Sequence, residues 1–168
     1  MLSEFERECH VRGVRLVSEL DDPARNAWGD PDGLRHLAEI LLRNALQATP
    51  PGGRILVRSS HKDDELIWSF SDNGKEIGAL EGEHLFDPFF CGRQAGRGLG
   101  LGLPRAARIV GKAGGRLRWT SHPGQGTAFH VNLPLPAAPE QPSNQPASSS
   151  RSTRNGERIS KAEPGTSQ

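Results

Sequence analysis

The sequence has only two cysteines, Cys9 and Cys91, among its 168 residues. They lie far apart, and neither has a histidine or a second cysteine at the spacing of metal ligands. These absences exclude a disulfide framework and the common zinc sites. Both cysteines are interpreted as having no special role.

Long hydrophobic runs are also absent. No apolar stretch approaches the roughly 18 residues of a membrane-spanning helix. The segment from Met1 to Arg15 carries too many charges to be a signal peptide. We therefore expect a cytoplasmic protein with no direct membrane insertion.

The net charge is small, with 21 lysines and arginines against 20 aspartates and glutamates. Residues 137–168 hold four of these basic residues and three of the acidic ones, which leaves 17 of each sign in the rest of the chain. This balance argues against nucleic acid or anionic lipid as the main partner. We expect no nucleic-acid partner.

Residues 137–168 lack aromatic residues and contain one large aliphatic residue, Ile159, among repeated serines and prolines. Such a segment cannot bury enough apolar surface to offset its ordering entropy. We therefore predict a lead-in over residues 1–10, one folded domain over residues 11–136 and a disordered tail over residues 137–168.

A helix is predicted to begin after Asp30, which can cap the first free N–H groups, with Pro31 at the first helical position. Apolar residues then recur at the spacing of one helical face as far as Ala48. A second helix is predicted over residues 103–112.

Alternating apolar and polar residues predict five strands. Those at 54–59 and 65–71 flank a short polar loop and are expected to pair antiparallel; the others lie at 14–20, 116–120 and 127–133. Together these elements predict an α+β fold, a two-layer α/β sandwich with helices on one face of a mixed, mostly antiparallel sheet.

Glycines alternate with other residues from Gly96 to Gly102, directly before the second predicted helix. Gly98, Gly100 and Gly102 would let backbone N–H groups approach an anion beside a helix N-terminus, which predicts a phosphate site. The spacing fits neither the dinucleotide fingerprint nor the Walker motif. A flexible loop with helix-packing glycines is the alternative.

Two further residues suggest binding chemistry. Asn44 lies at the edge of the apolar helical face, where its amide oxygen could bind Mg²⁺ or could simply be a polar boundary. Asp72 begins an Asp-Asn-Gly triplet at the end of a strand. Its carboxylate could accept a hydrogen bond from the exocyclic amine of adenine, although the triplet alone is an ordinary turn.

The order of four segments resembles the catalytic, ATP-binding domain of bacterial sensor histidine kinases, in the GHKL ATPase superfamily. The segments are similar to its asparagine box, first glycine box, phenylalanine box and second glycine box, and they are residues 41–48, 72–74, 86–90 and 98–102. The resemblance covers about residues 11–136, and residues 43–48 and 120–127 are most similar to the nitrogen-regulation type.

The resemblance implies a Bergerat-type fold that binds ATP and Mg²⁺. Asn44 would be the magnesium ligand, Asp72 the adenine contact and Gly74 part of the turn beneath the base. Gly98, Gly100 and Gly102 would line the phosphates. The lid anchors would be Phe86, Phe89 and Phe90.

The chain departs from the family pattern at two positions of the candidate site. Glu76 occupies the usual place of a second glycine, which predicts either backbone strain or a carboxylate near the nucleotide, unless Gly78 takes over that role. Ile40 stands where hydrolytic relatives have a general-base glutamate, and the adjacent Glu39 should point about 100° away. We therefore assign no catalytic base.

The family's phosphoacceptor histidine is followed by an acidic residue, and none of the six histidines here is. The resemblance thus implies a monomeric kinase domain that transfers the γ-phosphate to a histidine on a separate dimerisation domain, with a response regulator as a further partner in trans. The alternatives are a serine kinase of the anti-sigma-factor type and a non-catalytic nucleotide-binding module.

Deletion of residues 137–168 should leave the melting temperature and the nucleotide affinity unchanged, because the segment has no apolar anchors. Differential scanning calorimetry and nucleotide titration of the shortened chain check this. A loss of several degrees would show that the segment packs against the domain.

Overall fold

The structure is a computed structural model that describes residues 2–21, 29–91 and 99–135. Within these ranges the helices and strands are α1 (Leu2–Val11), β1 (Arg15–Glu19), α2 (Pro31–Ala48), β2 (Arg54–Lys62), β3 (Glu65–Asp72), α3 (Ala79–Glu83), α4 (Gly102–Lys112), β4 (Arg116–His122) and β5 (Gly126–Pro134). The predicted tail, residues 137–168, lies outside the described residues.

The five strands form one sheet in the order β1-β2-β3-β5-β4. The pair β1 and β2 is parallel, whereas the other three pairs are antiparallel. This confirms the predicted α+β class with a mixed, mostly antiparallel sheet. It also confirms the antiparallel pairing of the two strands around the polar loop.

Helix α2 begins and ends as its sequence predicts. The Asp30 carboxylate accepts hydrogen bonds from the backbone N–H groups of Asp32 (3.3 Å) and Gly33 (3.0 Å). The helix ends at Ala48, and the hydroxyl of the next residue, Thr49, donates to the Ala45 carbonyl at 2.7 Å. Its buried residues are Leu37, Ala38, Leu41, Leu42, Ala45 and Leu46.

The core lies between this helix layer and one face of the sheet. Val57, Phe70 and Phe129 are register partners across β2, β3 and β5, and all three are buried. Ala106 and Val110 of α4 are buried in the same cluster. The predicted two-layer arrangement follows, because each strand places alternate residues under the helices.

Helix α1 is absent from the sequence prediction. Its Phe5 and Cys9 are one helical turn apart and buried in the core, so the boundary predicted between residues 10 and 11 falls within a helix that packs on the domain. The few apolar residues of this short segment are interspersed with charged ones, which leaves a weak periodic signal. Cys9, interpreted as having no special role, is a core residue.

Helix α3 is also absent from the prediction, and it lies in the irregular stretch after Asp72. It has only five residues, none of them buried, so no apolar periodicity marks it. No helix in the described ranges combines the length and the apolar character needed to cross a bilayer.

Phe5→Ala should lower the free energy of unfolding by about 3 kcal/mol, because it removes a buried aromatic ring from the core. Urea unfolding followed by circular dichroism measures the change. Val11→Ala on the same helix is the matched control, since Val11 is 81% exposed. Equal stability of the two variants would show that α1 does not contribute to the core.

Candidate functional site

A cavity of about 470 Å³ opens between α2, the loop after β3 and the start of α4. The structure brings together here several residues that the sequence singled out, and Gly98 lies outside the described residues. The residues that line the cavity include Ile40, Asn44, Ala48, Asp72, Lys75, Glu76, Ile77, Leu85, Phe90, Cys91, Gly100, Gly102, Pro104 and Thr127.

Asp72 is the buried polar group of this cavity, with 5% of its surface exposed. Its Oδ1 accepts a hydrogen bond from the Gly74 N–H at 2.9 Å, and its Oδ2 is buried with no hydrogen-bond partner among the described residues. Burial raises the pKa of Asp72 to about 6, although the Gly74 N–H partly offsets the rise. The backbone N–H of Thr127 lowers this pKa as well, although no hydrogen bond joins it to the carboxylate.

A buried carboxylate oxygen without a partner is costly unless a ligand supplies a donor. An amino group such as that of adenine fits Oδ2, because a carboxylate accepts hydrogen bonds and cannot donate them. A carbonyl at the same place, as in guanine, would be repelled. The adenine contact of Asp72 stays a prediction.

Gly74 lies where the loop after β3 packs on the end of α2. A Cβ atom at this position would be 2.2 Å from the Ala48 carbonyl oxygen. That carbonyl accepts a hydrogen bond from the Lys75 N–H at 3.1 Å. Only glycine allows this approach, which holds the loop over the last turn of α2.

Gly100 and Gly102 lie at the start of α4. Gly100 has φ +66°, and a Cβ atom on it would be 2.6 Å from the Phe90 carbonyl oxygen. Gly102 is the first residue of the helix and lines the cavity. The free N–H groups and the partial positive charge of a helix N-terminus favour phosphate oxygens at this end of the cavity.

Asn44 lines the cavity from α2, and its amide makes no hydrogen bond to the described residues. No group of three or more His, Cys, Asp or Glu side chains in the described part of the chain could hold a metal ion. An Asn44 oxygen together with phosphate oxygens and waters is nevertheless a donor set that Mg²⁺ accepts. The site therefore fits a magnesium ion that arrives with the nucleotide.

Comparison with known proteins assigns the family. Residues 29–137 match the family described as histidine kinase-, DNA gyrase B- and HSP90-like ATPase. The chain belongs to this family. The matched range contains the cavity and every candidate site residue.

Its relatives are histidine kinases. The chain is 33% identical to the sensor protein DivL of Caulobacter vibrioides over 128 residues, which are 76% of this chain and 16% of DivL. It is 34% identical to the alginate biosynthesis sensor protein KinB of Pseudomonas aeruginosa over 132 residues, 78% of this chain and 22% of KinB. The chain thus spans about a sixth to a fifth of these relatives.

Solved structures agree. The mycobacterial sensor histidine kinase MprB is 28% identical, with a TM-score of 0.72 over 82% of this chain and 92% of that one. Full-length ShkA in complex with AMPPNP shares the fold, with 23% identity and a TM-score of 0.69 over 82% of this chain and 30% of ShkA. The chain is thus the ATP-binding catalytic domain of a histidine kinase. The nitrogen-regulation subtype stays a prediction.

The phenylalanine box of this histidine kinase domain differs in part from the expectation. Phe86 packs against the core, and Phe90 lines the cavity with its ring 5.7 Å from that of His84. Phe89 was expected to anchor the lid, but its side chain is 74% exposed. The backbone of Phe89, and not its ring, contacts the glycine segment: the Phe89 N–H donates a hydrogen bond to the Gly100 carbonyl at 3.1 Å.

The strain expected at Glu76 is absent. Among the described residues other than glycine, only Asp63 and Phe89 have positive φ. Gly78 does not take over as a close-approach glycine, because its φ is −70° and a Cβ atom on it would meet nothing within 4 Å. The other part of the expectation, a carboxylate near the nucleotide, stays a prediction. Glu76 is exposed and lines the cavity.

Ile40 lines the cavity at the place where hydrolytic relatives carry a base. Glu39 is not among the lining residues, and its carboxylate accepts a hydrogen bond from Arg43 Nε at 3.2 Å. The expectation that the chain supplies no general base for hydrolysis stays a prediction.

Sequence reasoning assigned no role to Ser121 and Thr127. Thr127 is buried beside its register partner Asp72, and its Oγ1 is 3.0 Å from Ser121 Oγ. Ser121 Oγ accepts a hydrogen bond from the Ile77 N–H at 2.9 Å. These contacts join the sheet to the loop after β3, and no local sequence signal indicates the pairing that creates them.

The ATP affinity should fall by up to tenfold for each pH unit below about 6 and should be nearly level above pH 7. The reason is that adenine needs the ionised Asp72 carboxylate, whose pKa in the free protein is about 6, so protonation competes with binding as the pH falls. Calorimetric titration from pH 5 to pH 8 measures the dependence.

Asp72→Asn is the control for this titration, because its amide does not titrate. It should bind ATP weakly at every pH, with only the shallow dependence that arises from the nucleotide's own phosphates. The same steep fall in both proteins would exclude Asp72 as its source.

Proposed function

We propose that this domain transfers the γ-phosphate of magnesium-bound ATP to a histidine on a separate dimerisation domain. The observation that carries the proposal is Asp72 Oδ2, which is buried without a hydrogen-bond partner among the described residues, in a cavity that the start of α4 also lines. The amino group of adenine and the phosphates of the nucleotide match these two features. ShkA, a protein of the same fold, is in complex with AMPPNP, which supports a nucleotide as the ligand.

Each residue has a defined part in this proposal. Asp72 orients the adenine, and the backbone around Gly100 and Gly102 receives the phosphates. The Asn44 oxygen holds Mg²⁺, which neutralises phosphate charge when it is bound. Catalysis is then mainly positioning, and the nucleophile comes from the partner.

Ile40 supports transfer to a partner over hydrolysis. An isoleucine side chain can neither accept a proton from water nor orient it by hydrogen bonds. The chain also has no histidine in the family's acceptor context. We therefore propose that a dimerisation domain and a response regulator act in trans with a monomeric, cytoplasmic form of this domain.

One observation favours a second candidate, a non-catalytic nucleotide-binding module. Glu76 places a carboxylate along the cavity in which the anionic nucleotide would lie. A negative charge there weakens phosphate binding. The two candidates differ in whether phosphate is transferred, which can be measured directly.

The test is incubation with labelled ATP, with and without a separately produced dimerisation domain that carries the acceptor histidine. The proposal expects acid-labile, base-stable phosphate on that domain and none on this chain alone. ATP binding without any transfer would favour the non-catalytic module, and stable phosphate on the isolated chain would contradict the need for a partner.

Asn44→Ala should weaken binding of magnesium-bound ATP by at least about tenfold, or 1.4 kcal/mol. It should leave the melting temperature and the affinity for metal-free ATP nearly unchanged, because Asn44 lies at the edge of the core. Gln47→Ala, an exposed position that lines the same cavity, is the matched control. Equal magnesium-ATP affinity of Asn44→Ala and the parent protein would show that Asn44 is only a polar residue at the boundary of the apolar face.

A further inference from the structure

The sheet has a second face that points away from the core, here called the open face. Along each strand, the residues next to the buried ones point to this face. Its members include Arg58, Ser69, His130 and Arg118, which lie side by side across four strands. Six basic residues of this face are exposed: Arg15, Arg54, Arg58, Lys62, Arg116 and Arg118.

Charge is distributed unevenly between this face and the rest of the described chain. The six basic residues are nearly half of the 14 lysines and arginines in the described ranges, whereas only Glu19 and Glu65 of the 16 aspartates and glutamates lie on the open face. The balanced composition therefore conceals a local excess of four positive charges.

The two glutamates neutralise only part of this charge. Arg58 Nε donates to Glu19 Oε2 at 2.8 Å, and Arg116 lies 3.8 Å from Glu65. Lys62 is the register partner of Glu65, whereas Arg15, Arg54 and Arg118 form no ion pair with a carboxylate of the described ranges. Of these, Arg15 and Arg54 are direct register partners on neighbouring strands, an arrangement of like charges that destabilises a sheet unless a counter-charge is supplied.

The chain offers no acidic segment outside the described ranges to supply that counter-charge. Residues 137–168 contain four basic and three acidic residues, so they do not complement the face. The occupant therefore lies outside this sequence.

The chemistry of the open face favours a protein over nucleic acid. Register places the tryptophans and phenylalanines of the sheet on the core face, so the open face lacks the aromatic platforms that bind single strands. Half-buried Val17, Leu56 and Ile67 lie among the arginines. An apolar centre with surrounding arginines is typical of protein interfaces.

We propose that the open face docks an acidic surface of another protein. Five strands span about 19 Å, and seven residues along a strand span about 23 Å, so the face offers about 440 Å². This is roughly half of the area that each partner buries in a standard interface. The association is therefore transient, fast and sensitive to salt.

The experiment uses the full chain, with fluorescent poly-L-glutamate as the acidic probe and a 20-base-pair DNA duplex as the competing polyanion. The charge-reversal variant is Arg54→Glu with Arg118→Glu. The matched control, Arg35→Glu with Arg108→Glu, makes the same change in net charge at exposed positions on the helices. Melting curves verify that both variants fold.

The proposal expects poly-L-glutamate binding that weakens with salt, a loss of about tenfold in the sheet variant and no more than about twofold in the helix variant. Equal losses in both variants would show that net charge alone is responsible. Absence of binding, or tighter binding of the duplex with the same sensitivity to Arg54→Glu and Arg118→Glu, would overturn the acidic-protein assignment. Nucleotide binding is not part of this test, so its outcome is independent of the proposed kinase function.

Discussion

The site depends on the contact between the loop after β3 and the end of α2. Gly74 can lie against the Ala48 carbonyl only because it has no side chain. In the same turn one oxygen of Asp72 accepts a hydrogen bond from the Gly74 N–H, and the other is buried with no partner in the described part of the chain. A single close approach thus determines where the loop lies relative to Asn44 and which oxygen is left for a ligand. Any side chain at Gly74 would separate the loop from the helix and disrupt both.

The two faces of the sheet provide different chemistry. On the helix side, the core supports a cavity in which a buried carboxylate and a helix N-terminus face one ligand. On the open side, an exposed excess of positive charge is spread over a flat surface. Because the cavity and the open face share the strands but not their side chains, each can change its charge with little effect on the other.

Local sequence signals were sufficient where one segment determines its own structure. The Asp30 cap, the apolar face of α2 and the polar loop between β2 and β3 all act within a few residues, and the structure has each of them as predicted. Helices α1 and α3 were missed because their stability comes from packing or from neighbouring turns, which short segments do not reveal. The strain expected at Glu76 was wrong for a related reason, since the loop path depends on contacts with α2 and β4.

The sequence by itself determined the fold class, the family and the identity of Asn44, Asp72 and Gly74 as candidate site residues, because these rest on residue types in a fixed order. Only the tertiary structure decided which Asp72 oxygen has no hydrogen-bond partner among the described residues. It also decided that Thr127 and Ser121 support the loop after β3, and that Phe89 contacts Gly100 through its backbone while its ring is exposed. The same structure decided that six basic residues from three strands share one face. Such properties depend on strand register and on distances between residues far apart in the chain, and neither can be read from composition or local pattern.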